Sequence, residues 1–337
     1  MGLPTDKLEA RTPPRHVGFD VLAREAAAYD RAVDASGLLD PFCSGSAWVL
    51  SAREAFGEEL ESFVVRTHSG WAPLMRMETV LGRTIVPLEA SWGLAAPIVG
   101  PDRREAAREF AAFALERRAS WDALFLSGLV RGAPDFTAIV HQLGRNNRLG
   151  LGKPTVRSVA RLDGGLDGFL SRRTAKFRKN LRRVQRKAEG ALRFETSAPT
   201  GTDEALAAYE QILQIEVRSW KGRSGHGIDA GPMNTFYRAM VPRLAARGEL
   251  RITFAREAST GEAVGYVLGG IRGDGYRGLQ ISFDADYTEL SLGNLLQLHT
   301  IDRLCAEGIV AYDLGTDMEY KRLWAEQQLT TVPLVVR

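Results

Sequence analysis

At 337 residues, with 45% hydrophobic and 25% charged content, the chain has the composition of a soluble globular protein, long enough for two domains of about 150 residues each. A net charge of +3 is too small for a general polyanion binder, and no run of 18 apolar residues is present to span a bilayer. Two distant cysteines, Cys43 and Cys305, exclude a disulfide scaffold, and MGLPTDKLEARTPPRH has neither a secretory pattern nor the sixth-position Ser or Thr of a myristoylation signal, so a cytoplasmic setting is expected.

Residues 1–40 read as a polar leader and a short helix, punctuated by Pro13, Pro14 and Pro41. A first domain over 41–162 is expected to hold a strand at Trp48–Leu50, a helix at Ala52–Leu60 and a strand at Phe63–Arg66. Next comes a hairpin of Pro73–Thr79 and Thr84–Leu88 turning at Gly82. The small-residue stretch GLAAPIVGPD lines a pocket or turns a corner. Arg103–Arg118 is predicted helical, with Arg117 and Arg118 at the end that the helix dipole favours for cations. A strand at Trp121–Leu126, a helix at Ala133–Leu143 and a strand at Thr155–Leu162 follow. The turn-rich GRNNRLGLGKP between the last two marks the approach to the domain change.

The second domain, 163–337, opens with a basic helix over 165–189. Leu170, Phe177, Leu181, Val184 and Ala188 keep one face of a 3.6-residue period, while RRTAKFRKNLRRVQRK carries nine basic residues and no acidic one. Without these sixteen residues the chain would be net acidic. The rod either meets an anionic partner or is a solvated helix whose arginines pair with acids elsewhere. Beyond it are a strand at Leu192–Thr196, helices at Asp203–Trp220 and Met233–Ala246, and three strands at Leu250–Ala255, Ala263–Arg272 and Tyr276–Phe283, joined by STGEA and GDG as an antiparallel meander. A helix at Gly293–Ala306, a strand at Ile309–Leu314, a helical turn at Met318–Ala325 and a strand at Thr331–Val336 close the chain. The fold class is thus α/β (α+β): two domains of similar element order, each a mixed, largely antiparallel sheet flanked by helices, without repeated residues between them.

The order meander, helix, strand, helix, strand resembles the GNAT-superfamily acyltransferases. Four stretches, FLSRRTAKFRKNLRRVQRKAEG, IEVRSWKGRSGHGI, ISFDADYTELSLGNLLQLHTIDRLCAEG and VAYDLGTDMEYKRLWA, resemble its CelD-like branch, first associated with cellulose biosynthesis. The resemblance extends from Pro41 onward, is specific in those stretches and loose in the first domain. It implies tandem GNAT-like domains, related to the FemABX-type peptidyltransferases that use aminoacyl-tRNA.

Read by itself, SLGNLL starts a helix: Ser291 is an N-cap, and Gly293 lets a ligand approach the first amides, those of Leu292, Gly293 and Asn294. A plain capped helix would look the same. In GNAT enzymes this place grips the pyrophosphate of coenzyme A through Q/R-x-x-G-x-G/A, whereas Thr288–Asn294 keeps one glycine. Acyl-CoA, acyl carrier protein and charged tRNA all stay open as donors, with Arg178, Arg182 and Arg183 of the basic helix as further phosphate or carrier contacts.

Acyl transfer to an amine needs a base, oxyanion donors and an acid or cation for the leaving group. Glu216 and Asp284 are the candidate bases. Asp313, at a strand end, is a substrate contact or a turn residue. Lys321 resembles the lysine near the C-terminus of related peptidyltransferases, which implies phosphate binding or oxyanion stabilisation. Tyr320 is a proton donor to a thiolate or part of a surface helix. Trp220, Lys221 and His226 belong to a glycine loop, SWKGRSGHG, expected to move over the acceptor. The five histidines lack metal-ligand spacing, and no nucleophile elbow, P-loop or dinucleotide fingerprint is present, so neither a metal nor a permanently bound cofactor is expected.

The resulting expectation is an N-acyltransferase acting directly from a thioester to an amine: an amino acid, an amino sugar or a lipid-like amine. Peripheral contact with an anionic membrane through the basic helix goes with it. The alternatives are an aminoacyl-tRNA-dependent peptidyltransferase, against which the acidic remainder of the chain and the lone aromatic of the rod, Phe177, both speak, and a non-catalytic binding protein of an exopolysaccharide system.

Overall fold

Residues 13–37, 40–57, 60–89 and 92–337 are described by a computed structural model. The polar leader over 1–12 lies outside them. Two units form, one from the described residues up to Thr155 together with Thr331–Arg337, the other from Val156–Thr330. The expected division after 162 differs from this one by a strand, because Arg157–Arg161 pairs with Ala311–Thr316 inside the second unit.

In the first unit β1 (Arg15–Val17), β2 (Glu61–Arg66), β3 (Trp71–Thr79) and β4 (Gly82–Pro87) form an antiparallel run, and β5 (Ala123–Leu129) joins β4 in parallel. The β3–β4 hairpin turns at Gly82, whose φ of 82° is the left-handed conformation that glycine takes without strain. β6 (Leu149–Leu151) and β5 flank the last residues of the chain, which lie antiparallel to both. Leu334 and Val336 thereby join Phe110, Leu124 and Leu126 in one core.

One prediction fails in this unit. Trp48–Leu50 is helical, within Ser46–Phe56. Asp30 receives both the Ser46 amide and its hydroxyl at 2.8 Å, fixing a helix start, and Ala47, Trp48, Val49 and Ala52 are buried. A short apolar run buried on several sides has no period to separate strand from helix.

The second unit is a six-stranded sheet in the order β7 (Thr155–Arg161), β12 (Ala311–Thr316), β11 (Gly275–Phe283), β10 (Ala263–Arg272), β9 (Leu250–Glu257), β8 (Leu192–Ser197). β8 to β11 are antiparallel neighbours, as the meander predicts; β11 and β12 are parallel, and β12 and β7 antiparallel. The mixed, largely antiparallel sheet flanked by helices is as expected. β13 (Gln327–Val336) then takes the chain back to the first unit from Thr331 onward.

Successive residues of β10 separate the two faces of this sheet. A Cβ at Gly265 would meet Leu296 and Leu292 of the helix Leu292–Ala306, while Tyr266 points the other way, to Glu216 on the helix Thr202–Arg218. Helix Gly231–Ala245 packs beside the latter.

The basic rod is two helices, Gly165–Ser171 and Ala175–Ala188, both packed on Leu292–Ala306. The break comes at Thr174, whose hydroxyl accepts the Phe177 amide as an N-cap.

Candidate active site

β11 and β12 pair only at Gly275–Ala311, Tyr276–Tyr312 and Arg277–Asp313, though both strands run on, to Phe283 and Thr316. The Tyr312 ring lies where any side chain at 278 would stand, 2.7 Å from the Cβ position, so Gly278 is what lets the ring sit beside the parting strands. At the vertex Asp313 bonds Arg157 at 2.6 Å and Arg277 at 2.7 Å, and receives the Gly315 amide at 2.8 Å. Burial would raise the Asp313 carboxyl, but the two guanidinium groups hold it below the ordinary carboxylate range. Asp313, expected as a substrate contact or a turn residue, is a clamp for two buried arginines and also closes its turn onto the Gly315 amide.

Glu216 lies two residues before the end of its helix and is 0% exposed. Its Oε2 accepts the Tyr266 hydroxyl at 2.8 Å, while Oε1 finds no hydrogen-bond partner among the described residues. Burial, reinforced by the Glu216 charge, pushes the Tyr266 phenol well above its ordinary value, so Tyr266 stays a donor. After Arg218 the chain becomes extended at Ser219, which caps the short helix Trp220–Arg223 through the Gly222 amide. This turn sends Lys221 to β11, where Nζ donates to the Ile281 carbonyl at 2.8 Å and Gln280 Oε1 at 3.1 Å. Gln280 in turn donates to the Tyr237 hydroxyl. Burial lowers the Lys221 ammonium, against the nearby charge of Glu216.

Two glycines make this turn feasible. A Cβ at Gly222 would lie 2.1 Å from the Glu216 carbonyl, and one at Gly227 would lie 3.2 Å from Glu216 Cγ. The SWKGRSGHG loop is thus folded down against the buried carboxylate.

Lys321 follows β12 on the 3-10 turn Glu319–Leu323, and its Nζ donates to the Thr316 carbonyl at 2.9 Å. Burial first, then repulsion from Arg277 and from Lys221, outweigh Asp313 and Asp317 and bring the ammonium down to about 8. The structure therefore gathers Glu216, Lys221 and Lys321, and adds Tyr266, Gln280, Tyr237, Arg157 and Arg277, none of which the sequence singled out. A charged Arg277 inside an otherwise uncharged meander strand was the available signal.

Two more expected residues border this cluster, Asp284 through its bridge to Ser219 and Tyr320 with its ring centroid 5.9 Å from Lys321 Nζ; these and the remaining ones are engaged as follows. Asp284 bonds Arg218 at 2.7 Å and caps the Asp286 amide at 3.1 Å, the ordinary capping alternative. Tyr320 is 48% exposed and Trp220 60% exposed; His226 is exposed and bonds Ser224. Ser291 holds the N-cap position in left-handed geometry (φ 53°), without a side-chain cap bond. The Leu292 side chain is core, and a Cβ at Gly293 would touch Phe283 at 3.2 Å, leaving only the first amides to face a ligand. Asn294 returns its amide to Ser291 O.

On the basic helix, Arg178 donates to the carbonyls of Leu170, Ser171 and Arg173, closing the preceding helix, so it is not a free phosphate contact. Arg182 and Arg183 are exposed on a helix that packs on the sheet face opposite Glu216. The basic residue that reaches the turn before Leu292 is Lys187, bonded to Glu289 O at 2.7 Å.

Comparison with known proteins bears on the fold that carries this cluster. Residues 175–322, all within the second unit, match the family described as "Acetyltransferase (GNAT) domain". Among curated proteins no match was found. Of solved structures, FemX has a TM-score of 0.60 at 13% identity, over 96% of this chain and 97% of its own. The C-terminal domain of a protein named for lysylphosphatidylglycerol synthetase, from Agrobacterium fabrum, gives 0.56 at 13% identity, over 93% and 92%. L-PGS from Bacillus licheniformis gives 0.50 at 11% identity, over 80% and 81%. The chain has a GNAT-type acyltransferase fold. Among the described residues no helix is long and apolar enough to cross a membrane.

Proposed function

We propose that this protein transfers an acyl group from a thioester donor directly to an amine, with no acyl-enzyme intermediate. The observation that carries the reading is the buried carboxylate of Glu216: one oxygen is held by Tyr266, the other has no hydrogen-bond partner among the described residues, and the ammonium groups of Lys221 and Lys321 belong to the same cluster. Glu216 Oε1 takes a proton from the incoming ammonium. The freed nitrogen attacks the thioester carbonyl, forming the C–N bond, and Lys321, with Lys221 behind it, stabilises the oxyanion. As the C–S bond breaks, Lys321 gives a proton to the thiolate and is reprotonated by the attacking nitrogen, which thereby becomes the neutral amide, while the proton held on Glu216 passes to solvent. The Lys321 value of about 8 suits a thiol, whose ordinary pKa is about 8.5.

The acceptor in this reading is an amino acid, an amino sugar or a lipid-like amine, and a CelD-like affiliation rests on the four sequence stretches given above. The single glycine before Asn294 favours a carrier-protein thioester alongside acyl-CoA, since only the Leu292 and Gly293 amides are offered to a pyrophosphate. A second reading has an aminoacyl-tRNA donor. It is favoured by the fold likeness to FemX and to two proteins named for lysylphosphatidylglycerol synthesis. Native mass spectrometry with acyl-CoAs from acetyl to palmitoyl, acyl carrier protein and bulk tRNA separates the two. Chain-length-selective thioester binding is expected, and retention of tRNA alone would replace the first reading by the second.

A further inference from the structure

On the sheet face opposite Glu216, the basic helix, the helix Leu292–Ala306 and the edge strand β8 enclose a groove of about 770 Å³. That volume lies within the roughly 300–1,000 Å³ of small-molecule sites. Its floor is hydrocarbon: Leu192 and Phe194 from β8, Leu295 and Leu298 from the helix. One wall is cationic. Lys179, Arg182 and Arg186, at spacings of three and four, present one helix face to it, and none of the three has a carboxylate within ion-pair distance among the described residues. They contrast with Arg172, Arg173 and Lys187 of the same segment, which are paired with Glu326 and Glu289. Glu189 and Asp302 also line the groove but do not neutralise that wall. His299 stacks on Phe194 with ring centroids 5.4 Å apart, and its buried Nε2 finds no partner among the described residues.

We infer that this groove binds a single-chain amphiphile with an anionic head, its tail along Leu192, Phe194, Leu295 and Leu298 and its head against Lys179, Arg182 and Arg186. A tail lying along the apolar floor leaves water, and the head meets cations that no carboxylate among the described residues pairs with. Nucleic acid fits less well. Its bases need free aromatic faces, and the two rings lining the groove, Phe194 and His299, are already stacked on each other. The groove lies across the sheet from Glu216, so binding there is read without a catalytic assay and is independent of the acyl-transfer reading.

Calorimetric titration of the full chain with dodecyl phosphate below its micelle concentration, against inorganic phosphate and dodecyl maltoside, tests the inference. Dodecyl phosphate is expected to bind at least about tenfold tighter than either. Arg182→Glu with Arg186→Glu, both at exposed positions, should weaken it by at least about tenfold while Arg182→Lys with Arg186→Lys keeps it, with unchanged circular dichroism for both. If the protein also sediments with phosphatidylglycerol vesicles and dodecyl phosphate competes it off, the amphiphile is a bilayer lipid. If dodecyl phosphate binds but vesicles do not, it is a soluble one. Equal affinity for dodecyl phosphate and phosphate, an unchanged affinity on charge reversal, or displacement of dodecyl phosphate by tRNA would each overturn the inference.

Discussion

Glu216 is a fully buried ionisable group and Lys321 a partly buried one, and their opposite roles come from what surrounds them. Tyr266 holds one oxygen of the carboxylate, and the other has no hydrogen-bond partner among the described residues. Tyr266→Phe leaves a second buried oxygen without a donor, at about 1–3 kcal/mol, so both stability and turnover should fall; chemical denaturation and steady-state rates check this. Lys321 acts as a proton donor only while protonated, so the rate should decline as pH rises through about 8. Lys321→Arg keeps the positive charge but cannot release the proton, and should lower the rate and erase that alkaline limb; a limb that persists in the variant belongs to another group. Linkage gives an independent check. The folded-state value lies below the unfolded one, so the unfolded chain binds more protons between about 8 and 10.4, and the penalty is greatest below that window and relieved as pH rises through it. Lys321→Met should therefore raise the melting temperature at pH 7 by more than it does at pH 10.

Secondary elements were legible in the sequence where turns bound them. The strand Ala263–Arg272 was read to the residue because STGEA and GDG stand on either side. The basic rod was read as one helix because its apolar period continues past Thr174, and the cap that divides it depends on a hydroxyl meeting one particular amide. Thr174→Ala should cost about 1 kcal/mol in a thermal or chemical melt. Tyr266, Arg277 and Gln280 escaped notice for a related reason: a register shift between Leu268 and Gly269 resets which way neighbouring side chains of β10 and β11 face, and composition does not encode it. Glu216 and Lys221 were visible as a carboxylate and a cation around a turn, but the pressure that folds their loop was not. Gly222→Ala places a methyl 2.1 Å from the Glu216 carbonyl, so the turn must open, and we expect a lower melting temperature together with at least a tenfold loss of turnover.

At the scale of the whole chain, two sheets are tied by a strand that starts after one domain's chemistry and ends inside the other's core. The closing strand itself was foreseen, but its membership in the first unit was not, since pairing between segments some two hundred residues apart leaves no local pattern. Deleting 331–337 removes the buried Leu334 and Val336, about 1.5–3 kcal/mol each, along with the pairing to β5 and β6, and should expose the first unit to limited proteolysis. The central claim, direct transfer with Glu216 as base, is most directly tested by amine-dependent release of free thiol from the acyl donor that native mass spectrometry selects. Wild type should release thiol only with amine present, and Glu216→Gln should lose about 10²–10⁴-fold of that rate while melting normally. An unchanged rate in Glu216→Gln, or an acyl group found covalently on the protein between donor and amine, would contradict it.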